Sequence, residues 1–142
     1  PIDSLELFAG KKAFTNAVLD TGRVAIGIDL SDATNNLQSD LYNFLTARGF
    51  ILATNFAARL GLGAQHLTAP VCSTWVWLSR GSTGRSELNP LGNTRLCSVS
   101  EANIMVSRVC LIIMICLAKG AFSCVSNLAD HFCNCTLSFR DW

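Results

Sequence analysis

Two apolar runs, Ser4-Leu5-Glu6-Leu7-Phe8 and Val24-Ala25-Ile26-Gly27-Ile28, bracket a stretch with helical spacing. From Lys12 to Asp20, the residues Ala13, Phe14, Ala17 and Val18 recur at the interval of one helix face. Ala9-Gly10 breaks the first run, and Thr21-Gly22 closes the helical stretch. Strand, glycine turn, helix, strand is the order of a parallel pair, because parallel strands need a crossover. A βαβ unit therefore opens the chain.

The rest continues the alternation. Ser31 to Asn36 is polar and loop-like, and Leu37 to Ala47 is weakly helical. Phe50 to Leu60 is more clearly helical, with Leu52, Phe56 and Leu60 on one face and Gly61-Leu62-Gly63 as its terminator. Gln65 to Ala69 reads as a third strand stopped by Pro70, and Val71 to Leu96 as a long irregular segment. Ser98-Val99-Ser100-Glu101 has the form of a capping box, predicting a helix to Lys119 with Gly120 past its end. Ala121 to Val125 is a fourth strand, and no period follows Ser126. The expectation is an α/β, Rossmann-like three-layer sandwich with a mostly parallel sheet. Residues 1–127 would form this domain and 128–142 an irregular tail outside it. The sheet is expected to be incomplete at its C-terminal end, and the start at Pro1 predicts a partial chain.

Composition narrows the class. The 142 residues are 50% hydrophobic and 15% charged, with net charge +1. One domain with its own core fits these values; a disordered chain or a strongly basic nucleic-acid module does not. The seven cysteines are odd in number and several lie in apolar runs, which favours free buried thiols in a reducing compartment. An intracellular location, cytoplasmic or nuclear, is expected, and no secretory signal is visible. The apolar run Val109 to Ala118 has ten residues, against about twenty for a bilayer span. A buried core helix and no membrane are expected.

In parallel sheets ligands bind at the carboxyl ends of the strands. That rule selects Phe8-Ala9-Gly10, Asp29 and Pro70-Val71-Cys72. Gly10 lets the backbone approach a ligand closely. Asp29, nineteen positions later, is placed to accept the hydroxyls of a ribose. Lys11, Lys12 and Ala13 follow Gly10, so the second and third glycines of a dinucleotide fingerprint are missing. A pyrophosphate needs the second glycine; S-adenosylmethionine carries no phosphate and is favoured over NAD. The same residues also suit an ordinary βα turn with a strand-ending acid.

Leu5-Glu6-Leu7-Phe8-Ala9-Gly10, with Thr15, Ala17, Gly22 and Ile28-Asp29-Leu30, resembles the first motifs of class I S-adenosylmethionine-dependent methyltransferases. It is especially similar to the cytosine-5 DNA methyltransferase branch. The stretches Ala69 to Ser73 and Asn89 to Asn93 resemble the cysteine loop of a divergent group. The resemblance spans about residues 4 to 120. It implies that Phe8, Ala9 and Gly10 line a methionyl pocket, that Asp29 holds the ribose, and that Leu30 and Asp32 flank the adenine. It places Cys72 at the nucleophile position, where a thiolate attacks the base. Val71 and Ser73 replace the proline and glutamine of that motif, and no carboxylate stands at Val125-Ser126-Asn127, where the branch has its glutamate.

The segment after Cys72 carries Trp75, Trp77, Arg80, Arg85 and Arg95 among glycines and serines. Rings can stack bases and guanidinium groups can pair phosphates, which suits a nucleic-acid substrate. A mobile loop whose tryptophans pack on the core has the same composition. His131, Cys133 and Cys135, with His66 or Cys124, allow a zinc reading, but a second paired motif is missing and no metal is assigned. Two alternatives to a methyltransferase domain stand: a catalytically inactive remnant, or another Rossmann-type nucleotide binder. A truncated sheet would also expose an unpaired edge open to self-association.

Overall fold

The computed structural model describes residues 1–71, 73–75, 77–126 and 135–137. Strands β1 (Ile2–Leu7), β2 (Ala25–Ile28), β3 (Leu60–Thr68) and β4 (Phe122–Val125) run parallel in the order β2-β1-β3-β4. β5 (Cys135–Leu137) adds to β4 in the antiparallel sense. The helices are α1 (Ala13–Leu19), α2 (Asn36–Tyr42), α3 (Ala47–Ala58), α4 (Arg80–Thr83) and α5 (Cys97–Ala118). The Rossmann-like α/β fold is thus present, and α1 links β1 to β2 as the opening βαβ pattern requires.

Residues in register across parallel strands share a face. Glu6 pairs with Gly27, and both face α1. Glu6 is buried, and one of its carboxylate oxygens accepts both the N–H and the hydroxyl of Thr15, which ties α1 to β1. A Cβ at Gly27 would sit 2.5 Å from Thr15 Oγ1, so this glycine sets how closely the helix approaches the sheet. α1 leaves the β3–β4 half of its face with a shallow apolar trough bounded by Phe14, Leu67 and Phe122.

The other face carries the core. Leu5, Leu7 and Ile28 pack against Ala53 and Ala57 of α3 and Val109, Ile112 and Cys116 of α5. Each fully buried leucine contributes about 1.5–3 kcal/mol relative to exposure. His66 and Ser123 are in register on this face, His66 Nδ1 lying 2.6 Å from Ser123 Oγ. His66 is enclosed, and burial pushes its pKa down to about 4. Among the described residues, its Nε2 and the hydroxyl of Thr68 have no hydrogen-bond partner. Cys116 is also enclosed, and burial pushes its thiol up to about 12.

Several local expectations are corrected. Gly61 and Gly63 do not terminate a helix; α3 ends at Ala58 and β3 starts at once at Leu60. The glycines lie in an irregular strand opening, where pairing shifts register between Ile2 and Ser4. Ser98 does not cap α5. The helix begins two residues earlier than a Ser98 cap would place it, Leu96 being its N-cap, and Glu101 instead accepts from the Cys97 thiol. The polar segment after Asp29 contains a 3₁₀ turn, Leu30–Asp32, and the long segment after Val71 contains another, Trp77–Ser79, followed by α4. Part of the stretch assigned to an irregular tail, Cys135–Leu137, lies in the sheet and occupies the outer edge of β4.

α5 also departs from an enclosed core helix. Its 22 residues are long and apolar enough to cross a membrane by length and composition. Val109, Ile112 and Cys116 are buried in the core beside the sheet and Val99 and Ala102 are buried nearer the N-terminal end of α5, while Ile104, Leu111 and Met114 on the other side are exposed. Among the described cysteines, Cys97 and Cys110 are exposed free thiols, so burial is not general to them.

Candidate functional site

The chain leaves β1 for β2 on one side and returns past β1 to β3 on the other. The strand order therefore reverses between β1 and β3, and a crevice opens beyond the carboxyl ends there. Its volume is about 240 Å3, and Leu7, Ile28 and Ala69 from the strand ends line it. Phe8, Tyr42 and Phe44 add aromatic surface, and Asp29 and Asn43 add polar groups. Phe8 leaves β1 in the left-handed region at φ 59°, and its ring centroid lies 5.1 Å from that of Phe44.

Asp29 is the hub of the rim. Its Oδ2 accepts the Gly10 N–H at 2.9 Å. Its Oδ1 accepts the Ser31 N–H at 2.8 Å and the Ser31 hydroxyl at 2.6 Å. The Asp29 N–H in turn donates to Asp32 Oδ2 at 3.0 Å, and Lys12 Nζ pairs with that same oxygen at 2.9 Å. The loop after β1 and the turn after β2 are thus clasped together. Partial burial raises the Asp29 pKa, but bonds from Ser31 and Gly10 and the Lys12 charge outweigh it and hold the carboxyl below its usual range. A carboxylate offers about four lone-pair positions. Three accept from Gly10 and Ser31, so one on Oδ2 remains for a ligand hydroxyl.

The expected cofactor residues therefore fall into two groups. Phe8, Asp29 and Leu30 line the crevice. Ala9, buried, extends the β1–β2 pairing through its N–H to Ile28, and Gly10 serves the clasp. Asp32 is engaged by Lys12 and by the Asp29 backbone rather than standing free. Lys12 sits where a dinucleotide loop has its second glycine, and it adopts the left-handed conformation, φ 55°, that glycine tolerates best.

The expected substrate segment is placed differently. Cys72 lies outside the described residues, as do His131 and Cys133. Arg85 is buried, not turned toward a phosphate. Its guanidinium donates to the carbonyls of Thr74 and Pro90 and to Asn103 Oδ1, and it stacks 3.5 Å from the centroid of the Trp75 ring. Arg85 is the pin that fastens residues 74–90 to α5. Trp75 keeps 37% exposure, Trp77 opens a 3₁₀ turn, and Arg80 starts α4 on the surface. Among the described residues no group of three or more His, Cys, Asp or Glu could hold a metal.

Tyr42, Asn43, Phe44 and Met105 were not foreseen as crevice residues. They come from the end of α2, the α2–α3 connection and α5, and no motif marks them. Arg108 on α5 positions that connection, its guanidinium donating to the carbonyls of Phe44 at 2.7 Å and Thr46 at 2.9 Å. Comparison with known protein families, with curated proteins and with solved structures finds no match.

Proposed function

We propose that the crevice binds the nucleoside part of S-adenosylmethionine in a methyltransferase-type domain. The observation that carries this reading is the Asp29 carboxylate at the mouth of an aromatic-lined crevice, at the point where strand order reverses. Flat apolar walls suit a purine, and the remaining acceptor position on Asp29 suits a ribose hydroxyl. The volume lies below the usual range for drug-sized ligands, which favours a single nucleoside over a dinucleotide. The bound group would supply an electrophilic methyl on a sulfonium centre. The chain's own residues orient it: Phe8 and Phe44 flank the ring, Asp29 fixes the sugar, and Arg108 holds the Phe44 wall in place.

The methyl acceptor follows only from the resemblance, which favours nucleic acid. Exposed Trp75 is compatible with base stacking, and Arg85 is excluded from phosphate contact as long as its internal bonds persist. Lys12, paired with Asp32, leaves Lys11 as the lysine of this turn with no bond to the rim for a methionyl carboxylate. A second reading, a nucleoside-binding remnant without turnover, is favoured by Lys12 in the glycine conformation and by the lack of a carboxylate at Val125-Ser126-Asn127.

Calorimetry of the folded chain with S-adenosylhomocysteine tests the binding claim. Binding is expected, weakened at least about tenfold by Asp29→Ala, which corresponds to about 1.4 kcal/mol. No heat of binding would overturn it, and tighter binding of NAD would favour another nucleotide module. A methyl-transfer assay with DNA and RNA separates the two readings: binding with turnover supports a working methyltransferase, and binding without turnover, the result expected of this chain alone, supports the remnant.

A further inference from the structure

The crevice is nearly free of charge. Among the described residues that line it, Asp29 alone is ionised, and no Lys, Arg or His joins it. The nearby cations are committed or lie outside. Lys12 Nζ pairs with Asp32 at 2.9 Å, and the Arg108 guanidinium donates to the Phe44 and Thr46 carbonyls. Lys11 is exposed and takes no part in the lining.

The turn after β1 is equally unsuited to an anion. A phosphate-binding turn keeps its N–H groups free for the ligand. Here three of them are spent inside the chain. The Gly10 N–H donates to Asp29 Oδ2, the Lys12 N–H to the Ala9 carbonyl at 2.7 Å, and the Thr15 N–H to the buried Glu6 carboxylate. Two of these acceptors are carboxylates, so the chain's own negative charge stands where a phosphate would find its donors. With Asp32, three carboxylates surround this turn against two lysines, Lys11 and Lys12.

We infer that Asp29, backed by Glu6 and Asp32, selects the charge of the nucleoside's 5′ substituent: the crevice admits a neutral or positively charged group there and rejects a phosphate. The inference rests on the nucleoside reading and extends it from the base and sugar to the group the sugar carries. A carboxylate that holds the ribose hydroxyls lies within short range of the 5′ position of the same sugar. The apolar walls keep the local dielectric below that of water, which strengthens the effect. S-adenosylmethionine, whose 5′ arm is net positive, meets the condition.

Calorimetry of the full chain with three ligands that share adenine and ribose tests this. They are 5′-amino-5′-deoxyadenosine, an ammonium at neutral pH, adenosine itself, and adenosine 5′-monophosphate. Affinity is expected to fall in that order, the monophosphate binding at least about tenfold more weakly than adenosine at about 0.01 M salt. The spread is expected to narrow at about 1 M salt, where the screening length falls to about 3 Å. Asp32→Asn removes a carboxylate that does not line the crevice and loosens its hold on Lys12. It is expected to bring the monophosphate at least about threefold closer to adenosine. A monophosphate that binds as tightly as adenosine, or a gap that neither salt nor Asp32→Asn reduces, would overturn the proposal and leave the nucleoside reading standing. A folded chain that binds none of the three would overturn both.

Discussion

The backbone N–H of Gly10 donates to Asp29 Oδ2 at 2.9 Å, joining the loop after β1 to the end of β2 across nineteen residues. This bond makes the two loops one rim and aims Asp29 at the crevice mouth. Because the folded carboxyl is held below its usual range, the clasp is present at and above that range. It is lost only as pH falls through the lowered value.

Lys12 offers a test of how the rim is strained. Its left-handed conformation costs about 1–2 kcal/mol for a residue with a Cβ. Lys12→Gly removes that cost, but it loses about 0.5–1 kcal/mol to chain entropy and a half-exposed ion pair worth about 0–1 kcal/mol. The terms nearly cancel, so denaturant melts are expected to place Lys12→Gly within about 0.5 kcal/mol of the parent. Lys12→Ala keeps the conformational cost and loses the pair, and is expected to be the less stable variant.

His66 makes stability depend on pH. Unfolded, the imidazole binds a proton near pH 6.5; folded, it stays neutral until about 4. The unfolded state therefore binds more protons between those values, and stability present above pH 6.5 is lost as pH falls toward 4. Between pH 7 and pH 5 the loss is about 2 kcal/mol. Urea titrations at the two pH values are expected to show it, and His66→Gln is expected to remove most of it.

Arg85 is expected to govern the segment before α5. Arg85→Ala removes bonds to two carbonyls and to Asn103, leaving partly buried acceptors without a donor. A stability loss of about 2–3 kcal/mol is expected. Limited proteolysis is expected to cut residues 74–90 faster in the variant.

Much of the fold could be read from apolar periodicity because βαβ order is a local signal. Val24 to Ile28 and Gln65 to Ala69 show it directly. The start of β3 was hidden because Gly61 and Gly63 look like helix terminators. Only pairing to Ile2, a contact distant in sequence, makes that stretch a strand. At the site, Gly10 and Asp29 were legible from spacing alone, and the structure joins them. The Phe44 wall was not, because a loop aromatic carries no period, and its place is set by Arg108 sixty-four residues away. Arg85 was misplaced for a related reason: an arginine in a polar loop has the same local appearance whether it binds carbonyls or phosphate.

The most direct test is a titration of the uniformly 15N-labelled chain with S-adenosylhomocysteine, followed by amide NMR. Saturable shifts are expected at Gly10, Leu30 and Phe44, with Gly120 unmoved, and Asp29→Ala is expected to move their midpoint to at least about tenfold higher ligand concentration. Unchanged Gly10 and Leu30 amides at millimolar ligand, in a chain with a folded spectrum, would contradict the account.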